Sequence, residues 1–184
     1  SALANPEVAA IVMRCENQHA HVTALPDALY NAVSQVEHGV GLMFLIETPA
    51  SELPASLTVN AVLLDNVQDP GNVGSILRSA AAFGVKALIT TARHSPEATG
   101  VLAKSASGAL EFVPMVTVQN LARGIAALKE RGFLTVGLDS EAEQDLNEVP
   151  VSAPLALVLG AEGKGLRQLT RETCDHLARL DLPG

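Results

Sequence analysis

The sequence predicts an α/β protein with a mostly parallel β-sheet and flanking helices. From Ala61 onward, short apolar runs alternate with helical patterns, which is typical of right-handed β-α-β crossovers. The chain has 184 residues and is 48% hydrophobic but only 3% aromatic. Its core therefore has to be built from Ala, Val, Leu and Ile, as in parallel sheets that alanine-rich helices cover.

The first sixty residues predict a small appendage and a linker. Helical patterns run from Pro6 to Cys15 and from Pro26 to Val36, and short strands are predicted at 20–24 and 41–46. A stretch rich in Pro, Ser and Ala predicts a linker. The chain is thereby divided into an appendage, a linker and a larger domain, at residues 1–47, 48–58 and 59–184.

Beyond the linker, each element has its own local signal. Strands are predicted at 61–64, 86–90, 113–118, 133–138 and 155–159. Asn72 can cap the first helix, and Gly84 fits its end. A second helix is predicted to open at Ser95-Pro96-Glu97, where Pro takes an early position. The third is predicted over 120–131, with Leu121, Ile125 and Leu128 facing inward.

A tight loop and a helix start follow the first predicted strand. Asp69-Pro70-Gly71 is turn chemistry, and one face of the helix behind it carries Gly71, Gly74, Ser75 and Arg78. A guanidinium group next to glycines, whose backbone is not covered by side chains, is suited to bind an anionic ligand at a helix N-terminus. An ordinary strand-to-helix corner, with Arg78 in a surface salt bridge, is an equally open interpretation of this pattern alone.

A second glycine-rich stretch, Gly160 to Leu166, follows the last predicted strand. Three glycines within six residues at the carboxyl end of a parallel strand indicate a place where backbone meets ligand. Their spacing is G-x-x-G-x-G, whereas the dinucleotide fingerprint requires G-x-G-x-x-G. In the phosphate loop a lysine follows the last glycine, but here Lys164 precedes Gly165.

These stretches resemble the signatures of the SpoU/TrmH-type RNA ribose 2'-O-methyltransferases of the SPOUT class. Residues 69–78, the first signature, contain every fixed position of D-P-x-N-x-G-x-x-x-R, and residues 160–166, the second signature, resemble G-[NA]-E-G-x-G-[LM]. Between them, the middle segment Lys104–Glu111 is similar to K-x-S-x-G-A. The tail 167–175 is similar to the branch that modifies a guanosine of large-subunit ribosomal RNA.

The resemblance, which covers residues 61–184, implies a function. It implies methyl transfer from S-adenosylmethionine to a ribose 2'-hydroxyl of RNA, in ribosomal RNA or, as a second choice, tRNA. It also implies a trefoil knot and a homodimer with active sites near the dimer interface. The alternative is a catalytically inactive RNA-binding protein of the same fold. A nucleotide-binding enzyme of another family is disfavoured by the failed fingerprints.

The resemblance also assigns roles to individual residues. Arg78 is the catalytic arginine, and Glu162 and Asn72 are expected to orient it and the ribose through hydrogen bonds. Because a guanidinium is effectively always protonated, we expect Arg78 to hold phosphate and stabilise charge, with the lost proton passing to a neighbour or water. Glu162 has a second interpretation, as the cap of a helix that begins near Gly165. The donor is expected against Leu159, Gly160, Ala161, Gly163 and Leu180, and RNA against Lys86, Arg93, Lys104 and Lys164.

Charge and cysteine content set bounds on partners. The formal charge is −8, but residues 1–60 hold six acidic side chains against one basic, and the remainder fourteen against eleven. RNA contacts are therefore expected on a local patch of the second part. The two cysteines and five histidines show no metal-ligand spacing. No apolar run is long enough to span a bilayer and no secretory leader opens the sequence, which together predict a cytoplasmic protein.

Two further expectations concern the ends of the chain. His38-Gly39-Val40 resembles the H-Q-G-[IV] element of a small ribosomal-protein-like RNA-binding domain, whose opening strand and helix would then be absent. Leu180–Gly184 aligns with the start of a third family signature, with Asp181 where proline is usual. Its S-L-N segment would lie past Gly184, so the catalytic domain is expected to be truncated.

Overall fold

The computed structural model describes residues 4–34, 41–46, 59–93, 95–97, 99–151 and 154–181. The chain forms two compact units, Ser1–Thr48 and Pro49–Gly184. The predicted linker and the His38–Val40 element lie outside the described residues. The assignment of the first unit to RNA binding stays a prediction.

The first unit contains two helices in its described part, α1 (Pro6–Asn17) and α2 (Asp27–Val33). Asn5 caps α1 by accepting a hydrogen bond from the Glu7 amide at 2.9 Å. The strands predicted at 20–24 and 41–46 are wrong, because these residues pair with no strand in the described part of the unit. The side chains of Phe44, Leu45 and Ile46 are exposed.

The second unit is built on a six-stranded sheet in which every pairing is parallel. The strands are β1 (Ala61–Asp65), β2 (Ala87–Thr91), β3 (Met115–Val118), β4 (Leu134–Leu138), β5 (Leu155–Gly160) and β6 (His176–Ala178). Their order in space is β3-β2-β1-β5-β4-β6. This confirms the predicted fold class. The sequence did not predict β6, which has only three residues and one polar side chain.

Helices cover both faces of this sheet, so its strands are buried. They are α3 (Pro70–Ala82), α4 (Gly100–Ala106), α5 (Leu121–Glu130) and α6 (Gln168–Thr173). Successive side chains of β1 point to opposite faces, where Leu64 joins a cluster with α3 and α4, and Leu63 joins one with α5. Leu121, Ile125 and Leu128 are buried in the latter, as predicted.

Two helix starts differ from the prediction. Asp69, not Asn72, caps α3, because its carboxylate accepts a hydrogen bond from the Asn72 amide at 2.7 Å. Residues 95–97 do not open a helix, and α4 begins at Gly100. The Ser95 hydroxyl instead accepts a hydrogen bond from the Thr91 amide at 3.3 Å, which ties it to the end of β2.

The acidic connection after β4 runs along the outer side of β6. The Arg179 amide donates to the Gln144 carbonyl at 2.9 Å, and the Leu146 amide donates to the Arg179 carbonyl at the same distance. The Arg179 guanidinium also donates to the Ala142 carbonyl at 3.0 Å. The end of β6 is therefore enclosed between β4 and residues 144–146, at the single bridge that Arg179 forms with Asp145. The knot itself stays a prediction.

Candidate active site

The two signatures leave the sheet from neighbouring strands. Strands β1 and β5 pair in a register that puts Asp65 opposite Gly160. Because parallel strands end on the same side of a sheet, the loop that leads into α3 and the loop that follows β5 start next to each other. We call this side the carboxyl end of the sheet.

Asp65 ties the two loops together through Arg167. Its side chain is fully buried and accepts from the Arg167 amide at 2.8 Å and from Nε at 2.6 Å. Nη2 of the half-exposed guanidinium lies 2.6 Å from the same carboxylate. A buried carboxylate needs such partners. Neither residue was among the predicted site residues, although a single acid directly after four apolar residues was an available signal.

The second signature folds back on itself as a tight hairpin. The amides of Ala161 and Gly165 each donate to the other residue's carbonyl, at 3.1 and 2.8 Å. A Cβ on Gly160 would lie 2.2 Å from the carbonyl carbon of Gly165. Glycine is required at position 160 by the loop's own backbone, which is a different reason from the predicted approach of a ligand.

Glu162 lies exposed in this hairpin and caps no helix. Helix α6 begins at Gln168 after Arg167, and no side chain caps it. The interpretation of Glu162 as the cap of a helix that begins near Gly165 is therefore wrong. The hairpin turns earlier than that interpretation assumed, because Gly163 and Gly165 have φ values of +72° and +63°.

The middle segment supports the start of α3. Ser105 on α4 donates its hydroxyl to the Gly71 carbonyl at 2.9 Å. A Cβ on Gly74 would lie only 2.4 Å from the Ser105 Cβ, so the two helices touch where both residues are small. This segment therefore positions the first signature through packing and one hydrogen bond.

Arg78 lies exposed on α3 without a partner in the described part of the chain. The side chains of Asn72 and Glu162 are exposed too, and within the described ranges no hydrogen bond joins either of them to Arg78. An arginine without an acidic neighbour keeps its donors for an anionic ligand. The hydrogen-bonded arrangement expected of the three residues stays a prediction.

The predicted donor-binding residues occupy two separate strand ends. Leu159 is half-buried against the cluster beneath α3, and Leu180 lies two residues past β6 with 48% of its surface exposed. Strand β4 separates β5 from β6, so these ends are about 10 Å apart. Leu180 offers an apolar surface, whereas the amide and the carbonyl of Ala161 are already bonded to Gly165. Contact of these residues and of Gly160 and Gly163 with the donor stays a prediction.

The predicted RNA-binding cations are spread over the domain. Arg93 follows β2 and Lys164 lies in the hairpin after β5, so both are exposed at the carboxyl end of the sheet. Lys104 is on α4, which packs against α3. Lys86 precedes β2 and therefore lies at the opposite end of the sheet, away from the two signatures.

A polar cluster fixes the turn between α6 and β6. Asp175 accepts from the Thr135 hydroxyl at 2.8 Å, and Lys129 Nζ lies 2.8 Å from its other oxygen. Burial opposes ionisation of Asp175, but the hydrogen bonds from Lys129 and Thr135 outweigh it and lower the pKa of this carboxyl. Burial, with Asp175 adjacent, raises the pKa of the Cys174 thiol to about 11. Cys174 packs against the core beneath α5.

In the described ranges, no group of three or more His, Cys, Asp or Glu side chains could hold a metal ion. No helix in that part of the chain is long and apolar enough to cross a membrane.

Known proteins resemble this chain in both sequence and fold. Residues 60–184 match the SpoU rRNA Methylase family. The 23S rRNA (guanosine-2'-O-)-methyltransferase RlmB of Ralstonia nicotianae is 48% identical over 123 residues, which are 67% of this chain and 49% of that protein. The RlmB of Yersinia pestis is 42% identical over 161 residues, 82% of this chain and 65% of that protein. The chain thus spans about half the length of most curated relatives that it matches.

A solved structure supports the same relationship. The SpoU methyltransferase AviRb from Streptomyces viridochromogenes, in complex with the cofactor AdoMet, superposes with a TM-score of 0.67 and 29% sequence identity. The match covers 75% of this chain and 58% of that one.

Proposed function

The chain belongs to the SpoU rRNA methylase family, and we propose that it is the catalytic part of an RNA methyltransferase. Its substrates are S-adenosylmethionine and the 2'-hydroxyl of a guanosine ribose in large-subunit ribosomal RNA. The observation that carries the proposal is the pairing of β1 with β5, which puts Asp65 opposite Gly160. The loop that leads to the first signature therefore leaves the sheet next to the second signature. The names of the RlmB relatives support the choice of RNA and nucleoside.

In the proposed reaction, the chain's own residues orient the reactants. S-adenosylmethionine, when bound, supplies an electrophilic methyl group on a sulfonium. Backbone groups of 160–163 and the side chain of Leu180 hold the donor. Arg78 holds a phosphate beside the target ribose, which places the 2'-oxygen in line with the methyl group. The carbon–oxygen bond forms as the carbon–sulfur bond breaks.

The 2'-hydroxyl also has to lose its proton during this step. A guanidinium does not serve as a base near neutral pH, so Arg78 stabilises charge. The proton passes to water or to the exposed carboxylate of Glu162, which lies in the hairpin next to the donor-binding backbone. This division of roles makes Arg78 a substrate-binding catalytic residue without acid–base duty.

The family relationship also supports two expectations about the cellular context. We expect the protein to act as a homodimer, and to work in the cytoplasm, where ribosomal RNA is available. Nothing in the described site favours the alternative of an inactive RNA-binding protein of the same fold. The chemistry can be tested directly.

The test uses the full-length protein and an unmodified large-subunit ribosomal RNA transcript. After incubation with S-adenosylmethionine carrying a deuterated methyl group, the RNA is digested to nucleosides and analysed by mass spectrometry. We expect labelled 2'-O-methylguanosine with the wild type, and a rate of labelling about 100- to 1000-fold lower with Arg78→Ala. Binding of S-adenosylhomocysteine is measured by calorimetry in parallel. Label on a base, or no label although donor and RNA both bind, would refute the proposal.

A further inference from the structure

A cavity of about 210 Å³ opens at the carboxyl end of the sheet, beside the ends of β2 and β3. Its wall combines polar and apolar side chains, among them Arg93, Gln119, Asn120, Arg167, Leu121 and Leu169. Of these, only Arg93 was expected to contact RNA. The cavity is separate from the predicted donor-binding residues, because none of those residues lines it.

We propose that this cavity binds a phosphate group of the RNA substrate, close to the nucleotide that receives the methyl group. The inference rests on the proposed function for the identity of the ligand as RNA. It adds a second anchoring point to the one that Arg78 provides, and it assigns a role to Arg167, Gln119 and Asn120.

Charge is the first argument for a phosphate. Two arginines and no acidic residue are among the described residues that line the cavity, in a chain with a formal charge of −8. Asp65 offsets part of the charge of Arg167, but it contacts only the amide, Nε and Nη2. Nη1 remains a donor, and the buried carboxylate fixes its direction. A guanidinium held in this way is suited to bind a phosphate oxygen.

Neutral donors that line the cavity are the second argument. Asn120 uses its side-chain oxygen to accept from the Arg123 amide at 3.1 Å, so its NH2 group is left to donate. Gln119 lies beside it with an exposed side-chain amide. Leu121 and Ala122 also line the cavity and begin α5, a helix of ten residues whose N-terminus favours negative charge.

The absence of stacking groups argues against a pocket for a base. Proteins that bind unstacked bases commonly place aromatic rings or flat guanidinium surfaces against them. No aromatic side chain is among the described residues that line this cavity. The guanidinium of Arg167 is turned to Asp65 by two contacts of its side chain, which restricts its use as a stacking surface.

The first test asks which chemical group enters the cavity. The protein labelled with ¹⁵N is titrated with inorganic phosphate, guanosine and guanosine 5'-monophosphate while its amide resonances are followed. We expect phosphate and the monophosphate to shift the amides of Gln119, Asn120 and Ala122, and guanosine to leave them in place. If guanosine alone shifts them, or if none of the three does, the inference is overturned.

The second test measures RNA affinity over a range of salt concentrations. Arg93→Ala is the variant, because removal of Arg167 would leave the buried Asp65 without its partner. Its affinity for the ribosomal RNA transcript should fall about tenfold, as expected for one lost charge-assisted contact. The slope of log affinity against log salt should become shallower by about 0.7 to 0.9. Arg123→Ala, an exposed arginine on α5 that does not line the cavity, is the matched control and should match the wild type.

The readouts separate this inference from the proposed function. Wild-type affinity and slope in Arg93→Ala would overturn the phosphate assignment, whether or not the protein methylates RNA. A protein that binds RNA through Arg93 but never methylates it would refute the proposed function and leave the cavity assignment standing. Donor binding, measured with S-adenosylhomocysteine, should be the same in all three proteins.

Discussion

Arg78 and Arg167 lie in the same domain, but the side chain of Arg167 is paired with an acidic residue and that of Arg78 is not paired within the described residues. Arg167 makes three contacts with the fully buried Asp65, through its amide, Nε and Nη2. Arg78 has no partner in the described residues. Arg167 is thus held by the architecture of the site and has only Nη1 left to donate, while Arg78 keeps all of its donors for a ligand.

The contrast shows how a site can be rigid and still contain an arginine whose hydrogen-bond donors are available to a ligand. A buried ion pair joins β1 to the hairpin after β5. Separating this pair is unfavourable, because it leaves a buried charge with neither a partner nor solvent. An exposed arginine costs little to leave unpaired, because water solvates it. Substitution of Arg78 should therefore change activity, and substitution in the pair of Asp65 and Arg167 should change stability.

The largest expected effect is on catalysis. Arg78→Ala should lower methyl transfer by about 100- to 1000-fold, the range for loss of one group that stabilises charge in a transition state. Its free energy of unfolding should stay within about 0.5 kcal/mol of the wild type, since no contact is lost. Single-turnover kinetics and urea denaturation measure the two quantities. An Arg78→Ala protein that is fully active, or clearly less stable, would break the contrast.

Arg78→Lys sharpens the same prediction. A point charge that only attracts phosphate would retain part of the activity, whereas bidentate positioning would not. We expect the loss to approach that of Arg78→Ala. The methyl-transfer rate should depend on pH in the same way in the wild type and in Arg78→Lys, because the arginine is not the base.

The next effect concerns the hairpin of the second signature. Gly160→Ala should lower the free energy of unfolding by about 3 kcal/mol, because its Cβ would lie 2.2 Å from backbone that cannot give way. Gly163→Ala is the control, since no atom lies within 4 Å of its Cβ position and only its positive φ is strained. That variant should lose about 1 kcal/mol. Equal losses in urea denaturation would show that the close approach is not what requires glycine at 160.

A smaller effect is expected when the buried pair is broken. Asp65→Asn should lower the free energy of unfolding by about 2 kcal/mol, below the usual cost for a buried pair because Arg167 is half exposed. Asp181→Asn is the control, because Asp181 is 72% exposed in its pair with Arg179 and should contribute almost nothing. If both variants unfold at the same urea concentration, Asp65 does not fix the site.

The smallest effect is the pH dependence of a third pair, Lys129 with Asp175. Because the pKa of Asp175 is lowered in the folded protein, its contribution is fully present above about pH 4 and is lost as the pH falls through the lowered pKa. The exposed position limits it to under about 1 kcal/mol. The stability difference between wild type and Asp175→Asn should therefore shrink from pH 5 to pH 2. A stability difference that is the same from pH 5 to pH 2 would show that ionisation of Asp175 does not cause the effect.

The parts of the fold that sequence could predict are those with a strong local signal. Strand β1 and helix α5 have long apolar patterns and lie where predicted, within a residue. The start of α4 was missed because Ser95 uses its hydroxyl on β2, which only the folded chain reveals. The strand β6 was missed because three residues carry too little pattern, and β4 makes them a strand by pairing with them.

The site likewise contains features that have a local sequence signal and features that depend on the folded chain. The first and second signatures stand out by their glycines, and a sequence alone shows that backbone is used there. It does not show that Gly74 makes room for Ser105, or Gly160 for Gly165, because these contacts depend on residues brought together by folding. The pair of Asp65 and Arg167 is separated by about a hundred residues, and no local pattern connects them.

The enclosure of β6 has a consequence for how the domain opens. Edge strands as short as three residues normally fray, since only one side is hydrogen-bonded. Here the chain around Ala178 is bonded to β4 on one side, and Arg179 to residues 144 and 146 on the other. Release requires the hydrogen bonds on both sides to break, so hydrogen exchange of the Arg179 amide should require opening of the acidic connection. The backbone that leads to Leu180 is thereby tied on both sides.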